Sequence, residues 1–118
     1  MPPLPDFRRV LAAGCLLLLV AGPALAEHGA VATGPDERFG WSRDFRTQGQ
    51  ADRKALEECG RRCRILFQFK DSCAAYATGR AGAAGWEISN SETHARDIAL
   101  ERCRRHSRDC RLRMSACS

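Results

Sequence analysis

The fold is decided by a motif that occurs twice in the chain. Its first copy, ALEECGRRCRI, occupies residues 55–65, and its second copy, ALERCRRHSRDCRL, occupies residues 99–112. In each copy Ala-Leu-Glu precedes a cysteine, and a second cysteine leads into an arginine and an aliphatic residue. The second copy holds three more residues between its two cysteines. A match that keeps the order of its parts indicates an internal duplication.

The match extends towards the N-terminus. Ala-Thr-Gly at 32–34 and Gly-Trp at 40–41 recur 45 residues later, at 77–79 and 85–86. We therefore expect one domain made of two repeats, which span about 29–73 and about 74–117.

Each repeat is predicted to form a strand, a strand, a helix and a strand. Turn-forming glycines separate the first two strands, and alanines at helical spacing predict the helix. The predicted strands are 29–33, 39–43, 64–69, 74–78, 84–88 and 111–116, and the helices end at about 59 and 104. The expected fold class is therefore α+β: one small disulfide-stapled domain of two tandem strand-strand-helix-strand repeats with antiparallel sheet.

The last strand of each repeat alternates between apolar and polar residues. Strict alternation puts every second side chain on the same face of a sheet. The residues predicted to share a face are Cys63, Ile65, Phe67 and Phe69 in the first copy, and Cys110, Leu112, Met114 and Ala116 in the second.

Length and the N-terminal segment limit what the chain can be. With 118 residues it holds one domain at most, which excludes a multidomain enzyme. Residues 1–26 are predicted to be a secretory signal peptide, because Arg8 and Arg9 precede a short apolar run and Ala-Leu-Ala at 24–26 forms a cleavage site. Lipidation at Cys15 is the alternative, but most of the apolar run follows this cysteine. The domain, residues 27–118, is then exported to the periplasm or the medium, with no transmembrane segment expected in it.

The duplicated features also resemble a known family. Two Gly-Trp strands, two Ala-Leu-x-x-Cys helices, a cysteine-led strand after each, and Cys-Ala-Ala-Tyr-Ala at 73–77 are similar to the bacterial secreted "domain of unknown function 4189" family. The resemblance covers about residues 29–117. It implies a small exported domain with this duplicated architecture, and it implies no particular activity.

Six cysteines follow residue 26, and an even number in a short exported chain predicts three disulfides. The inferred topology brings the end of each helix close to the start of the next strand, which favours short-range bridges. The preferred set is Cys59–Cys63, Cys103–Cys110 and Cys73–Cys117, the last joining the two copies. The set with Cys59–Cys110 and Cys63–Cys103 stays open.

Neither a metal site nor a catalytic triad is predicted from the histidines. Cys103, His106 and Cys110 have a spacing that zinc can use, but the first copy has no histidine between its cysteines, and export favours oxidised thiols. We expect neither a metal nor a cofactor. Ser91, His94 and Asp97 follow each other on one predicted helix, where triad geometry is rare. No catalytic residue is therefore assigned, although His94 would be the one to test in a small secreted hydrolase.

Trp41 and Trp86 could stack on a sugar or a base, but their matched position after glycine favours a paired structural role. Arginines concentrate where each helix passes into the next strand. The candidate anion- or partner-binding residues are Arg61, Arg62, Arg102, Arg104, Arg105 and Arg108. Arginine is well suited to bidentate contacts with carboxylates and phosphates, and the competing interpretation is solvated charge that complements the helix dipole.

Three functions are compatible with these features. The first is a noncatalytic binding module for another exported or envelope protein, including an inhibitor or an immunity protein. The second is a polyanion binder that uses the arginines, and the third is the small hydrolase. The sequence predicts no oligomeric state.

Overall fold

The structure is a computed structural model and describes residues 25–118. Nearly all of the predicted signal peptide, with Cys15, lies outside the described residues. Six strands and two long helices follow residue 27. They are β1 (His28–Thr33), β2 (Phe39–Phe45), α1 (Gln48–Cys59), β3 (Arg64–Lys70), β4 (Cys73–Thr78), β5 (Ala84–Ser89), α2 (Glu92–Arg104) and β6 (Arg111–Cys117). A single 3₁₀ turn, Arg80–Gly82, precedes β5.

The strands form two three-stranded antiparallel sheets. The first sheet has the order β2-β1-β3 and the second has the order β5-β4-β6. Helix α1 packs on the first sheet and α2 packs on the second. The chain is therefore an α+β protein of two similar sheet–helix units, which confirms the predicted fold class.

The two sheets pack face to face, and the largest side chains lie between them. Phe67 of the first sheet stacks on Trp86 of the second, with ring centroids 4.5 Å apart. Phe39 and Tyr76 form a second stack across the sheets at 5.6 Å. Aromatic pairs of this kind bury large areas and prefer such offset geometries. The layers thus run helix, sheet, sheet, helix.

Small residues allow each helix to lie close to its sheet. In the first unit Ala51 and Ala55 are fully buried against Ala30 and Ala32. Gly40 has no room for a side chain, since a Cβ there would collide with the backbone of α1 at Ala55.

The second unit is built in the same way. Ala95 and Ala99 of α2 are fully buried against Ala75 and Ala77 of β4. A Cβ at Gly85 would collide with the carbonyl oxygen of Ala99. The repeated Gly-Trp pair therefore has a physical cause in both units, because the glycine lets the helix approach and the tryptophan packs against the core between the sheets.

A β-bulge in each unit makes the predicted alternation wrong. Val31 lies opposite Phe67 while Ala32 lies opposite Ile65, so Leu66 is the extra residue in β3. In the second unit Tyr76 lies opposite Met114 and Ala77 opposite Leu112, so Arg113 is the extra residue in β6. An extra residue reverses which face the following side chains occupy. The residues before each bulge, Cys63 with Ile65 and Cys110 with Leu112, face a helix, while those after it, Phe67 with Phe69 and Met114 with Ala116, face the other sheet.

Three disulfides join the pairs that the sequence favours. Cys59–Cys63 and Cys103–Cys110 each tie the end of a helix to the start of the next strand, with Cα atoms 6.1 Å and 6.0 Å apart. The third bridge is Cys73–Cys117.

The Cys73–Cys117 bridge does not join the two units, and the prediction that it does is wrong. Cys73 is the first residue of β4, so it belongs to the second unit, where it lies opposite Cys117 in the same sheet. The equivalent pair in the first unit is His28 opposite Lys70. The boundary between the units therefore falls before Cys73, at the bend of Asp71 and Ser72.

Candidate functional site

The turns that follow β1 and β4 lie at the same end of the molecule. Between these turns, residues 34–38 and 79–83, the two units leave a cavity of about 200 Å³. Its lining residues are Thr33, Gly34, Glu37, Arg38, Phe39, Tyr76, Thr78, Gly79, Gly82, Ala83, Ala84 and Arg113. We call this cavity the inter-turn cleft. Both units contribute to it, so it exists only because the sheets pack together.

One cation lies on the aromatic part of the inter-turn cleft. The guanidinium carbon of Arg113 is 5.0 Å from the centroid of the Phe39 ring, which itself stacks on Tyr76. Arg113 Nη1 donates a hydrogen bond to Thr78 Oγ1 at 3.3 Å. A cation over an aromatic face is attracted by the negative potential of the ring. These contacts hold the Arg113 guanidinium in one place, while the residue is half-buried.

Tyr76 supplies a neutral hydroxyl to the same cleft. Burial raises the pKa of the Tyr76 phenol above its usual value, and the positive charge of Arg113 opposes that shift. The phenol is therefore protonated at neutral pH and can donate a hydrogen bond. Within residues 25–118, no side chain or backbone group forms a hydrogen bond with this hydroxyl.

The helix-to-strand corners lie beside the same two turns. In the first unit Arg38 Nη1 donates to the carbonyl oxygen of Arg61 at 3.1 Å. In the second unit the backbone N–H of Arg80 donates to Ser107 Oγ at 3.3 Å, and Arg80 pairs with Asp109 at 2.9 Å. The structure thus brings both predicted arginine corners to the end that holds the inter-turn cleft.

Two of the six candidate arginines have carboxylate partners. Arg102 pairs with Glu87 at 3.1 Å and donates to the carbonyl oxygen of Trp86 at 2.6 Å. Arg105 pairs with Glu101 at 3.5 Å along α2. Across the described part of the chain, the other four form no ion pair; these are Arg61, Arg62, Arg104 and Arg108.

Charge is unevenly distributed over the molecule. We define the arginine-rich end as the two turns with the two corners, residues 34–38, 60–64, 79–83 and 104–113. These segments hold ten arginines and three carboxylates, whereas the rest of residues 27–118 holds seven basic and ten acidic residues. A surface with this imbalance attracts anionic groups over several ångströms.

The Ser91, His94 and Asp97 series has a structural use. Ser91 is the N-cap of α2, and its Oγ accepts a hydrogen bond from the backbone N–H of His94 at 3.2 Å. Thr47 caps α1 in the same way. A hydroxyl used as a cap satisfies a backbone donor that the helix itself leaves unpaired.

The sulfur atoms of Cys103 and Cys110 are joined in a disulfide, so they do not flank His106 as thiolate ligands. In the part of the chain that the structure covers, no three His, Cys, Asp or Glu side chains are grouped as a metal site.

The two tryptophans take unequal positions. Trp86 stacks on Phe67 but keeps about 36% of its surface exposed. Trp41 is half-buried at the edge of the core, and the Arg43 guanidinium lies 5.9 Å from its ring. Both side chains pack against the core between the sheets.

The sequence does not predict Arg113, Tyr76 or Phe39 as site residues. Phe39 and Tyr76 lie in different units, and only the packing of the sheets brings them together. The sequence holds a partial signal, since Tyr76 is the single tyrosine of the chain and stands between alanines.

The comparisons identify one family. The model described as Domain of unknown function (DUF4189) matches residues 28–117, which include every strand and both long helices. No curated protein and no solved structure gave a match. No helix within residues 25–118 is long and apolar enough to cross a membrane.

Proposed function

The chain belongs to the family described as Domain of unknown function (DUF4189). Since this description names no function, we propose a function from the surface of the domain. It is a noncatalytic binding module that holds an acidic region of another exported or envelope protein against its arginine-rich end. The observation that carries this proposal is the convergence of both arginine corners and both turns on one end of the molecule. An inhibitor or immunity protein acting on a secreted enzyme would work in this way.

Four arginines at this end support the proposal. Arg61, Arg62, Arg104 and Arg108 are exposed, and within residues 25–118 they have no carboxylate partner. Arginine is enriched at protein interfaces, since its planar guanidinium forms paired hydrogen bonds with carboxylates and is weakly hydrated. An acidic partner would supply the missing carboxylates.

The inter-turn cleft favours a protein partner over a polymer of repeated charges. Interfaces between proteins combine an apolar centre with a polar rim. Here the Phe39 and Tyr76 rings lie in the cleft, with the charged corners around it. Binding of a flexible polyanion depends mainly on the number of basic contacts and needs no such centre.

Three disulfides in about ninety residues support an exported location, in the periplasm or outside the cell. Disulfides form and persist in oxidising compartments and are rare in the cytosol. The bridges at Cys59–Cys63 and Cys103–Cys110 also fix the two arginine corners, so less conformational entropy is lost when a partner binds.

Affinity capture tests the proposal. The protein is purified in its exported, oxidised form, immobilised, and exposed to envelope and culture-supernatant fractions, with elution by increasing salt. A first variant carries glutamine in place of Arg61, Arg62, Arg104 and Arg108. A matched control loses the same number of charges elsewhere, with glutamine in place of Arg46, Arg53, Lys70 and Arg96.

We expect one discrete protein to be retained by the wild type and by the control, and to be lost from the first variant. Equal retention by the first variant would show that the arginine-rich end is not the contact surface. If only anionic polymers are released, at modest salt, the proposal is replaced by polyanion binding. If nothing is retained, both the protein-binding and the polyanion-binding functions are rejected.

A further inference from the structure

Arg113 owes its position to the bulge in β6. The equivalent residue in the first unit is Leu66, the extra residue of the β3 bulge. Leu66 is exposed to solvent, whereas Arg113 is half-buried in the inter-turn cleft. The same backbone irregularity therefore places a cation in the cleft in one unit and an exposed aliphatic side chain in the other.

The charge of Arg113 has no counter-charge within residues 25–118. Its one hydrogen bond to a side chain is with Thr78, and Glu37 lines the same cleft without approaching to ion-pair distance. A guanidinium carries five N–H donors, so several are left for a ligand. Removing a charge from water is unfavourable unless it is paired. An anion in the cleft would provide that pairing.

The remaining walls indicate which anion would fit. The Tyr76 hydroxyl is a donor without a partner within the described residues, and Thr33 adds a further hydroxyl. The Phe39 ring and the methyl groups of Ala83 and Ala84 form an apolar surface. The cleft volume of about 200 Å³ is below the size of sites for drug-sized ligands. A ligand that carries one carboxylate on a small, planar apolar group matches these donors and this apolar surface.

We propose that the inter-turn cleft binds such a carboxylate, with the Arg113 guanidinium and the Tyr76 hydroxyl as its donors and the Phe39 ring against its apolar body. The acid is either a free small molecule or the C-terminal residue of a peptide, since both present the same chemistry. This site goes beyond the proposed function. The Phe39 and Tyr76 rings also belong to the apolar centre of the proposed protein contact, but Arg113 is not among the four arginines replaced in the capture experiment, so the two proposals are tested by different variants.

Phenylacetate is the probe, and phenylacetamide is its matched neutral control. Each is titrated into the exported, oxidised protein while the backbone amide resonances are followed by NMR. We expect saturable shifts at Thr78, Gly79 and Ala83 with the acid, and at least about tenfold weaker binding of the amide, because hydrogen bonds to a charged group contribute the most. Equal binding of both compounds would overturn the proposal, and this comparison needs no variant to fold.

A peptide that ends in phenylalanine, with a free or an amidated C-terminus, distinguishes the two sources. If the peptide with the free carboxylate binds saturably and the amidated peptide does not, the ligand is a chain terminus. If phenylacetate binds and neither peptide does, the ligand is a free acid. If neither acid produces saturable shifts, the carboxylate site is rejected.

Variants then assign the donors. R113Q should weaken binding of the acid roughly tenfold or more, whereas R111Q, which removes a charge from an exposed residue of the same strand, should leave it nearly unchanged. Y76F should weaken it by a smaller factor. Unchanged binding in R113Q would overturn the assignment. The variant lacking Arg61, Arg62, Arg104 and Arg108 should still bind phenylacetate, so the two proposals can fail separately.

Discussion

Phe67 and Trp86 lie face to face across the two sheets, with their ring centroids 4.5 Å apart and their planes inclined by 10°. Phe67 belongs to the first unit and Trp86 to the second, so this contact holds the two units together. It also fixes the inter-turn cleft, because the cleft forms only where the sheets are packed in this way. The same packing sets the distance between the two arginine corners.

Substitution of Phe67 by alanine should therefore destabilise the whole domain. The side chain is 6% exposed, and removing a buried phenylalanine costs about 3–5 kcal/mol of the free energy of unfolding. Leu66→Ala is the control, since Leu66 is the adjacent residue but is 38% exposed; it should change the free energy by less than about 1 kcal/mol. Urea denaturation measures both. Similar losses in the free energy of unfolding would contradict the bulge in β3, because the bulge is what leaves Leu66 outside the core.

Gly85→Ala should be strongly unfavourable although it adds one methyl group. The new Cβ would meet the carbonyl oxygen of Ala99, so α2 would have to move away from the sheet, at a cost of about 1–3 kcal/mol. Gly49→Ala in α1 is the matched control, because a Cβ there meets nothing within 4 Å and alanine favours helix. Thermal unfolding should show a large decrease in Tm for the first variant and none for the second. Two equal decreases would argue against the close helix–sheet contact.

The three disulfides should contribute unequally to stability. The sequence separations are 44 for Cys73–Cys117, 7 for Cys103–Cys110 and 4 for Cys59–Cys63. A bridge that closes a longer loop removes more entropy from the unfolded chain, so paired Cys→Ala substitutions should cost about 4 kcal/mol for the longest loop and about 2 kcal/mol for the shorter two. Urea titration of the three double variants gives the order. Six free thiols in the protein purified from its native source would contradict all three bridges.

The single tyrosine gives a direct spectroscopic test of the cleft. Burial raises the pKa of Tyr76 and Arg113 partly lowers it, so ultraviolet titration of the folded protein should show ionisation above about pH 10. In Arg113→Gln the midpoint should move higher still, because the opposing positive charge is gone.

The same shift predicts how stability depends on pH. Because the pKa of Tyr76 is raised on folding, the folded protein keeps the phenol protonated to a higher pH than the unfolded chain does. The contribution of Tyr76 to the free energy of unfolding is therefore complete below about pH 10 and is lost as the pH rises through the folded pKa. Circular dichroism confirms that the protein is folded during the titration. An unshifted midpoint, or a lower one in Arg113→Gln, would mean that the phenol is not buried beside the guanidinium.

Much of the fold could be predicted because its cause lies in local sequence. The Gly-Trp pairs, the Ala-Leu-Glu-x-Cys helices and the cysteine-led strands recur in the same order, 44 to 47 residues apart. The short-range disulfides follow from the end of a helix lying near the start of the next strand.

The bulges could not be read from the alternation of side chains. Arg64-Ile65-Leu66-Phe67 fits an unbroken strand, and only the register with β1 shows that Leu66 is the extra residue. The role of Cys73 was misassigned for a related reason, since pairing with Cys117 across β4 and β6 depends on the sheet and not on the repeat count.

The candidate site was predicted in part. The arginine corners are visible as local clusters of charge. The cleft depends on contacts between the units, such as Arg113 with Phe39, and no periodicity within one repeat records those contacts.

Hydrogen–deuterium exchange of the complex with its captured partner tests the central claim most directly. The account predicts that binding slows exchange at the arginine-rich end, in the turns 34–38 and 79–83 and the corners 60–64 and 104–113. The opposite end, including residues 43–48 and 89–92, should exchange as in the free protein. Slowed exchange confined to that opposite end would contradict the account.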